Sequence, residues 1–564
     1  MKFLKTEAIP KLEELRMGLS KIEGLKWIAF LFFTVLMCAG TIGILSTLNS
    51  RFITTIPTSG GSLSEGMIGN PSQINPIFAL TNTDKDISSL VFSGLMKKDS
   101  NGNIIPDLAE KYEISEDGRI YTFTLKDNLK FHNGDPVTTE DVRYTISLTT
   151  NPSIRSPKRA NWEGVNVEVI DEKNIKFTLK EEFTGFLENT TIGILPSSII
   201  KEIDPNSFSQ HNFNQKPIGA GPFKITKVSK TNSGLIESVE LKSFNKYALG
   251  KPYLNKINLK FYGNEDELIK ALKTRIIDRG GPISPEGTLE LTNSKIETSQ
   301  LPRIFGLFFN QANSKVLEDA SVRRAIDAGI NRQTLVENVF NGFAVANKSP
   351  YPKQIDQNFS TEDANQILEK AGWKIGENGI RSKDSIELKF KIATGDNKEL
   401  RNTALEIKNQ LKNIGMEIEV ESFELGILNQ QIIEERNYQA LLFGELVPRP
   451  ENLYAFWHSS QKDFPGLNIT GYVNGKSDQA LITLLSEHQE EKRTVALNNF
   501  INEISKDKPA VFLYSPMLLI GDNTTIKKPD TSFGVLQERF VEANKWYSQT
   551  DKVWRIFANN NLIE

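Results

Sequence analysis

From Trp27 to Ser50 the chain carries no charge over 24 residues, with Ile, Leu, Phe, Val and Met on all sides of the helix this run predicts. At about 1.5 Å per residue such a helix spans roughly 36 Å, enough to cross a hydrocarbon core of about 30 Å. Beyond it, shorter periods take over. In Arg119–Lys126, Ile120, Thr122, Thr124 and Lys126 alternate with Tyr121, Phe123 and Leu125, which predicts a strand after an Asp117-Gly118 turn. Lys173–Lys180 repeats the pattern, and Asn133–Pro136 is a second turn. Thr139 reads as the N-cap of a helix carrying Val142, Thr145 and Ile146 on one side.

Strands are predicted at Phe223–Val228 and Ile257–Tyr262, with a helix at Asp266–Lys273. From residue 306 the pattern is α/β: strand Phe305–Asn310, helix Val322–Phe340, strand Ile386–Ile392, helix Leu400–Ile414, strands Glu417–Val420 and Tyr438–Phe443. Gly415 suits a helix C-terminus, and Arg323 and Asp327, four apart, suit a helix-surface pair.

Composition narrows the function. The chain has 564 residues, room for several domains, and a formal net charge of −3, so no basic excess points to nucleic acid. Cys38 is the single cysteine and excludes an intrachain disulfide. The histidines at 132, 211, 458 and 488 stand singly, so no metal site is expected, and His132 reads as a hydrogen-bonded structural residue. No GxxxxGK[ST], GxSxG, HExxH or CxxC occurs. Gly219-Ala-Gly221 precedes a proline and a strand, which discounts a phosphate loop. No cofactor is expected, and binding is favoured over catalysis.

Lysines and Arg16 ahead of the apolar run place the N-terminus inside and the bulk of the chain outside the cytoplasm. An uncleaved anchor is expected; a cleaved signal peptide and a lipoprotein joined through Cys38 are alternatives. Thr54–Ser64 reads as a flexible linker, and Glu7–Glu23 as a short helix.

Ordered blocks then carry a resemblance. Leu90–Leu95, Ile105–Lys111, Ser115–Arg119, Tyr121–Leu125, Lys130–Val137 with Thr139–Val142, Pro217–Phe223, Lys251–Ile257, Asp319–Ile326 with Ile330–Arg332, Ala371–Trp373, Leu411–Gly415 and Asn468–Asn474 together resemble the extracytoplasmic solute-binding proteins of peptide/nickel ABC importers. The resemblance implies an α/β, periplasmic-binding-protein-like bilobed clamp of type II with an extra small domain, here preceded by one transmembrane helix. The implied boundaries are 1–26 cytoplasmic, 27–50 transmembrane and 51–61 linker. Lobe I would be 62–85, 215–305 and 525–564, the small domain 86–214, and lobe II 306–524, with crossings near 305–310 and 515–530. Ligand would bind between the lobes and favour closure.

In peptide-binding members an aspartate before a proline pairs with the ligand's α-amino group. The matching stretch is Phe443-Gly444-Glu445-Leu446-Val447-Pro448-Arg449-Pro450, which puts Leu446 at the aspartate's place, Glu445 on the other side of a strand, and a cation at Arg449. Tyr454 and Trp457 are expected as cleft walls, with core packing as the alternative; Leu80, Thr81 and Asn82 match positions that line the cleft. The function expected is capture of peptides or a similar solute for an ABC permease. A sensing or interaction protein that keeps the clamp is the alternative, and a hydrolase lacks a nucleophile–base motif.

Overall fold

The uncharged run forms one helix, Gly24–Phe52, in a computed structural model that describes residues 24–183, 185–351, 359–487, 489–529 and 539–554. Its segment Lys26–Thr47 has a mean hydropathy of 2.4 and buries none of its surface in protein. Thr34 and Thr41 donate their hydroxyls to the carbonyls of Phe30 and Met37, each at 2.8 Å. Polar side chains in an apolar surround need such internal partners. The helix expected over Glu7–Glu23 lies outside the described residues.

Directly after this helix, Ile53–Thr58 pairs antiparallel with Gln549–Trp554. The stretch 51–61 is therefore not a plain linker: its β-branched Ile53, Thr54, Thr55 and Ile56 favour extended backbone, and Pro57 is tolerated in a two-stranded ribbon.

The remainder, Gly60–Trp546, is organised by one sheet. Its path runs Glu417–Phe423, Lys389–Gly395, Ala440–Leu446, Arg303–Phe309, Ala510–Asp522, Arg279–Gly281, Ser62–Ile68, Lys256–Tyr262, Ile236–Ser243, Phe223–Lys230. The long strand Ala510–Asp522 belongs to both ends: its start pairs with Phe305–Phe308, its end with Lys295–Gln300. The chain crosses between the two ends here, through Leu301-Pro302 and through the middle of the long strand, where the Leu301 N–H donates to the Pro516 carbonyl at 2.9 Å. The first crossing thus precedes the expected 305–310.

In the second lobe, strand Arg303–Phe309 is covered on both faces. Leu307 and Phe309 pack with Val322, Ile326, Ile392 and Leu442, while Ile304 and Phe308 pack with Leu441, Trp457, Phe500 and Phe512. That double burial explains its unbroken apolar sequence. In the first lobe Leu63, Met67, Val239, Leu241, Ile257 and Leu259 form the core together with Ile87, Leu90 and Val91 of helix Asn82–Val91. The boundary expected at 85/86 falls inside that helix. The small domain has a four-stranded antiparallel sheet ordered Ala109–Ile114, Ile120–Leu125, Asn174–Thr178, Asn166–Val169, packed around Phe123, Trp162, Phe177 and Phe186.

Three local expectations change. Thr138, not Thr139, caps helix Thr139–Thr150, in a capping box with Asp141. The helix expected over Val322–Phe340 is two, Ala320–Gly329 and Arg332–Phe340, because Asn331 accepts from the Thr334 N–H at 3.0 Å and starts a new one. Arg323 and Asp327 do not pair on a surface. Arg323 is buried and donates to the carbonyls of Leu317, Glu318, Asp507 and Lys508, while Asp327 pairs with Arg332 and, at 2.7 Å, with Lys508. Buried at the ends of neighbouring helices, the guanidinium serves otherwise unsatisfied C-terminal carbonyls.

Candidate functional site

Strand Ala440–Leu446 delivers its last residues to the crossing, where the Val447 N–H donates to the Pro302 carbonyl at 2.8 Å. Period-two alternation separates the side chains there. Gly444 faces Phe305, whose ring would lie 2.7 Å from a Cβ at that position, so only glycine fits beneath it. Leu446 lies open, 47% exposed. Glu445 points the other way, into the core, and is 2% exposed. Its Oε2 accepts from the Trp457 indole N–H at 3.1 Å, and its Oε1 has no partner. Burial without a cation raises its pKa well above the carboxylate range; the indole bond only partly opposes this.

Trp457, expected as a cleft wall, is a core residue at 1% exposure, packed against Phe308 and Phe512 with ring centroids at 6.1 and 5.8 Å. Tyr454 packs within its own loop, stacked on His458 at 4.3 Å. Phe443 is half-buried against the same core as Trp457. Thr81 caps helix Asn82–Val91: its hydroxyl accepts from the Asp84 N–H at 3.1 Å and donates to the Asp84 carboxylate at 2.7 Å. Leu80 and Asn82 beside it are exposed.

Arg449 alone among the expected residues reaches a large cavity. This space, about 550 Å³, lies where helix Asn82–Val91, the small domain, the Arg449 loop and residues 540–544 meet. Arg449 crosses to the small domain and pairs there with Glu188, which also holds Lys98 at 2.9 Å. The other cations at the cavity are Lys85, Lys97 and Lys158. Burial lowers the pKa of Lys97, opposed by the nearby Asp107 and Glu542. Asp107 is itself buried, its pKa raised by desolvation, with one carboxyl oxygen unpartnered.

The glycine-rich segment sets the far end of the helix that borders this space. Cβ atoms at Gly219 and Gly221 would fall 2.1 and 2.5 Å from the Val91 backbone, and the Gly221 N–H donates to the Val91 carbonyl at 2.8 Å. Both glycines are there for close approach. His132 locks the segment. Its Nδ1 accepts from the Gly219 N–H at 3.4 Å and its Nε2–H donates to the Gly221 carbonyl at 3.0 Å. A second ring proton would face an N–H donor, and burial lowers the His132 pKa to about 4.

Among the described residues no group of three or more His, Cys, Asp or Glu is placed to hold a metal ion. The lysines of the cavity were not foreseen: they come one at a time from separate segments, and single lysines among 67 basic residues form no pattern.

Residues 103–464 match the family described as bacterial extracellular solute-binding proteins, family 5. Among curated relatives, the oligopeptide-binding protein AppA of Bacillus subtilis is 28% identical over 479 residues, covering 82% of this chain and 87% of AppA. The structure of B. subtilis AppA in complex with a nonapeptide superposes with a TM-score of 0.62 at 26% identity, covering 87% of this chain and all of that one. NikZ of Campylobacter jejuni, in complex with Ni(L-His), superposes with a TM-score of 0.64 at 25% identity, covering 86% of this chain and 99% of NikZ. The fold is that of the type II periplasmic binding proteins. With its two crossings, its small domain and these blocks in order, the chain belongs to family 5 of the bacterial extracellular solute-binding proteins.

Proposed function

We propose that this chain is a membrane-tethered solute-binding protein that takes a peptide or peptide-like solute between its lobes outside the cytoplasm and hands it to an ABC permease. The observation that carries this reading is the pair of crossings at Leu301-Pro302 and in strand Ala510–Asp522, close to the loop that brings Arg449 to the small domain. Two strand crossings are a hinge: a ligand that binds better between closed lobes than open ones shifts the equilibrium toward closure. AppA, whose structure is in complex with a nonapeptide, supports peptide as the solute class. Helix Gly24–Phe52 would hold the clamp at the outer face of the membrane, so that a solute is captured beside its permease. The reading is binding without chemical change of the solute.

The test is native mass spectrometry of the full chain purified in detergent from its own cells. A co-purified solute, released intact on unfolding and taken up less by cells lacking the gene, is the expected result. Recovery of a hydrolysed solute, or normal uptake of the released solute without the gene, would overturn it.

A further inference from the structure

The cavity beside Arg449 is unevenly charged. Five cations border it, Lys85, Lys97, Lys98, Lys158 and Arg449, against three carboxylates, Asp107, Glu188 and Glu542. Those carboxylates are already engaged. Glu188 is shared by Lys98 and Arg449, Glu542 pairs with Lys545, and Asp107 is buried beside Lys97. Lys85 and Lys158 remain. Neither has a carboxylate within ion-pair distance among the described residues. Burial depresses the Lys158 pKa first, and the Lys85 charge adds to it. Asp86, next in sequence to Lys85, feels its charge but forms no ion pair with it. It turns into the first lobe toward Arg539 at 3.9 Å, and burial raises its own pKa well above the carboxylate range. Neutral polar groups complete the wall: the Ser88 hydroxyl on the helix and the amides of Asn161 and Asn189 on the small domain, where Asn189 spends one N–H on the Asn161 carbonyl at 2.9 Å; the Ser89 hydroxyl is already donated to the Asp86 carbonyl at 2.8 Å.

Two like charges held half-buried without a counter-ion are unfavourable until something negative sits between them. A wall of lysine, serine and asparagine donors is chemistry for a carboxylate or another oxyanion, not for an ammonium. Resting on the solute-binding reading, we propose that this cavity receives an anionic group of the ligand, with Lys85 and Lys158 as its counter-charges, and that the preferred solutes are peptides bearing acidic side chains. The charge at Arg449 and the loss of a carboxylate at Leu446 agree with it: the loop that would greet an amine offers a cation instead.

The full chain, in detergent, is offered a random tetrapeptide library, and retained peptides are read by native mass spectrometry. Wild type should enrich Asp- and Glu-containing peptides. Lys85→Gln and Lys158→Gln should each weaken one retained acidic peptide about tenfold, between the effects of exposed and buried pairs. Lys85→Arg should restore binding, which excludes misfolding as the cause, and added salt should weaken the wild type more than the double variant. A parallel titration with inorganic phosphate separates the two oxyanion sources. Phosphate competing with an acidic peptide in wild type, and not in the double variant, supports the anion site. Peptides retained without preference for acidic residues would overturn the inference and leave the solute-binding reading standing. Phosphate binding through the lysines with no peptide retained would overturn the peptide class while keeping the anion site. Neither probe binding would overturn both.

Discussion

The Trp457 indole donates to Glu445 at 3.1 Å in the core of the second lobe, while Leu446, the next residue, turns outward. One register step along a strand separates a buried carboxyl from the open face. That step decides where Glu445 sits: under the loop, bonded to Trp457 and turned away from the open face.

Glu445→Gln should therefore alter stability in a pH-dependent way. The folded chain keeps the Glu445 proton above its ordinary pKa of 4.5, because burial raises it. The unfolded chain loses that proton first, so the contribution to stability is full below that value and falls as pH rises toward the raised one, by up to about 1.4 kcal/mol per pH unit. Glutamine is neutral throughout and keeps the bond to Trp457. Urea midpoints of variant and wild type should lie close together below the ordinary value of 4.5 and separate in the variant's favour as pH rises above it. Parallel curves would show a carboxylate already ionised in the fold.

Peptide affinity should ignore Glu445. The same Glu445→Gln variant is expected to bind any retained peptide as the wild type does, and N-acetylation of the peptide should also change little. Losing a buried partner of the α-amino group would cost about 2–5 kcal/mol and would be unmistakable in calorimetry. Conversely, Leu446→Asp places a carboxylate on the open face, and should favour the free-amine form over its acetylated form.

Much of this was legible from the residues alone. The strands around Tyr121, Phe177 and Phe308 follow from alternation and from β-branched and aromatic content, and the inward side of Glu445 follows from period two. The fate of Trp457 was not legible, because helix Leu453–Trp457 is too short to show which face is buried. Nor was the pairing of Ile53–Thr58 with Gln549–Trp554, since its partners stand at opposite ends of the chain and each reads locally as a polar edge. The cavity is a tertiary product of the same kind: Lys85, Lys158 and Arg449 meet only when helix, small domain and loop are packed together.

Arg449 should act on closure. Its pair with Glu188 ties the loop to the small domain, but both side chains are over a quarter exposed, so screening keeps its worth at about 1 kcal/mol or less. Arg449→Ala should raise the radius of gyration of the ligand-free chain slightly in small-angle scattering. Raising the salt of the wild type should do the same. An unchanged profile in both would mean that the pair has no part in the open–closed balance.

Topology has its own test. Segment Lys26–Thr47 of helix Gly24–Phe52 is not buried in protein, and Lys21 and Arg16 are among the basic residues ahead of it. Protease added to intact cells with a permeable outer layer should digest the region after Arg51 and spare a tag at Met1. Protection of the large region would reverse the orientation, and a mature chain lacking Met1 would point to cleavage.

The His132 ring is satisfied on both nitrogens only when it is neutral. Its folded pKa of about 4 lies below the ordinary 6.5. Between these values the unfolded chain binds the proton and the folded chain does not, so its contribution is fully present above the ordinary value and is lost as pH falls toward the lower one, on the order of 3 kcal/mol in all. Other groups pull the other way in this range, Glu445 among them, so the comparison must be between variants. His132→Gln cannot titrate. It should be less stable than wild type near neutrality, because it refits the contacts to Gly219 and Gly221, yet the gap should narrow steadily as the medium is acidified. Fluorescence-monitored urea unfolding across that range measures the gap directly. A gap that stays constant would mean that the imidazole takes up its proton in the fold as readily as in the unfolded chain, and that the glycine segment is held against Val91 without it.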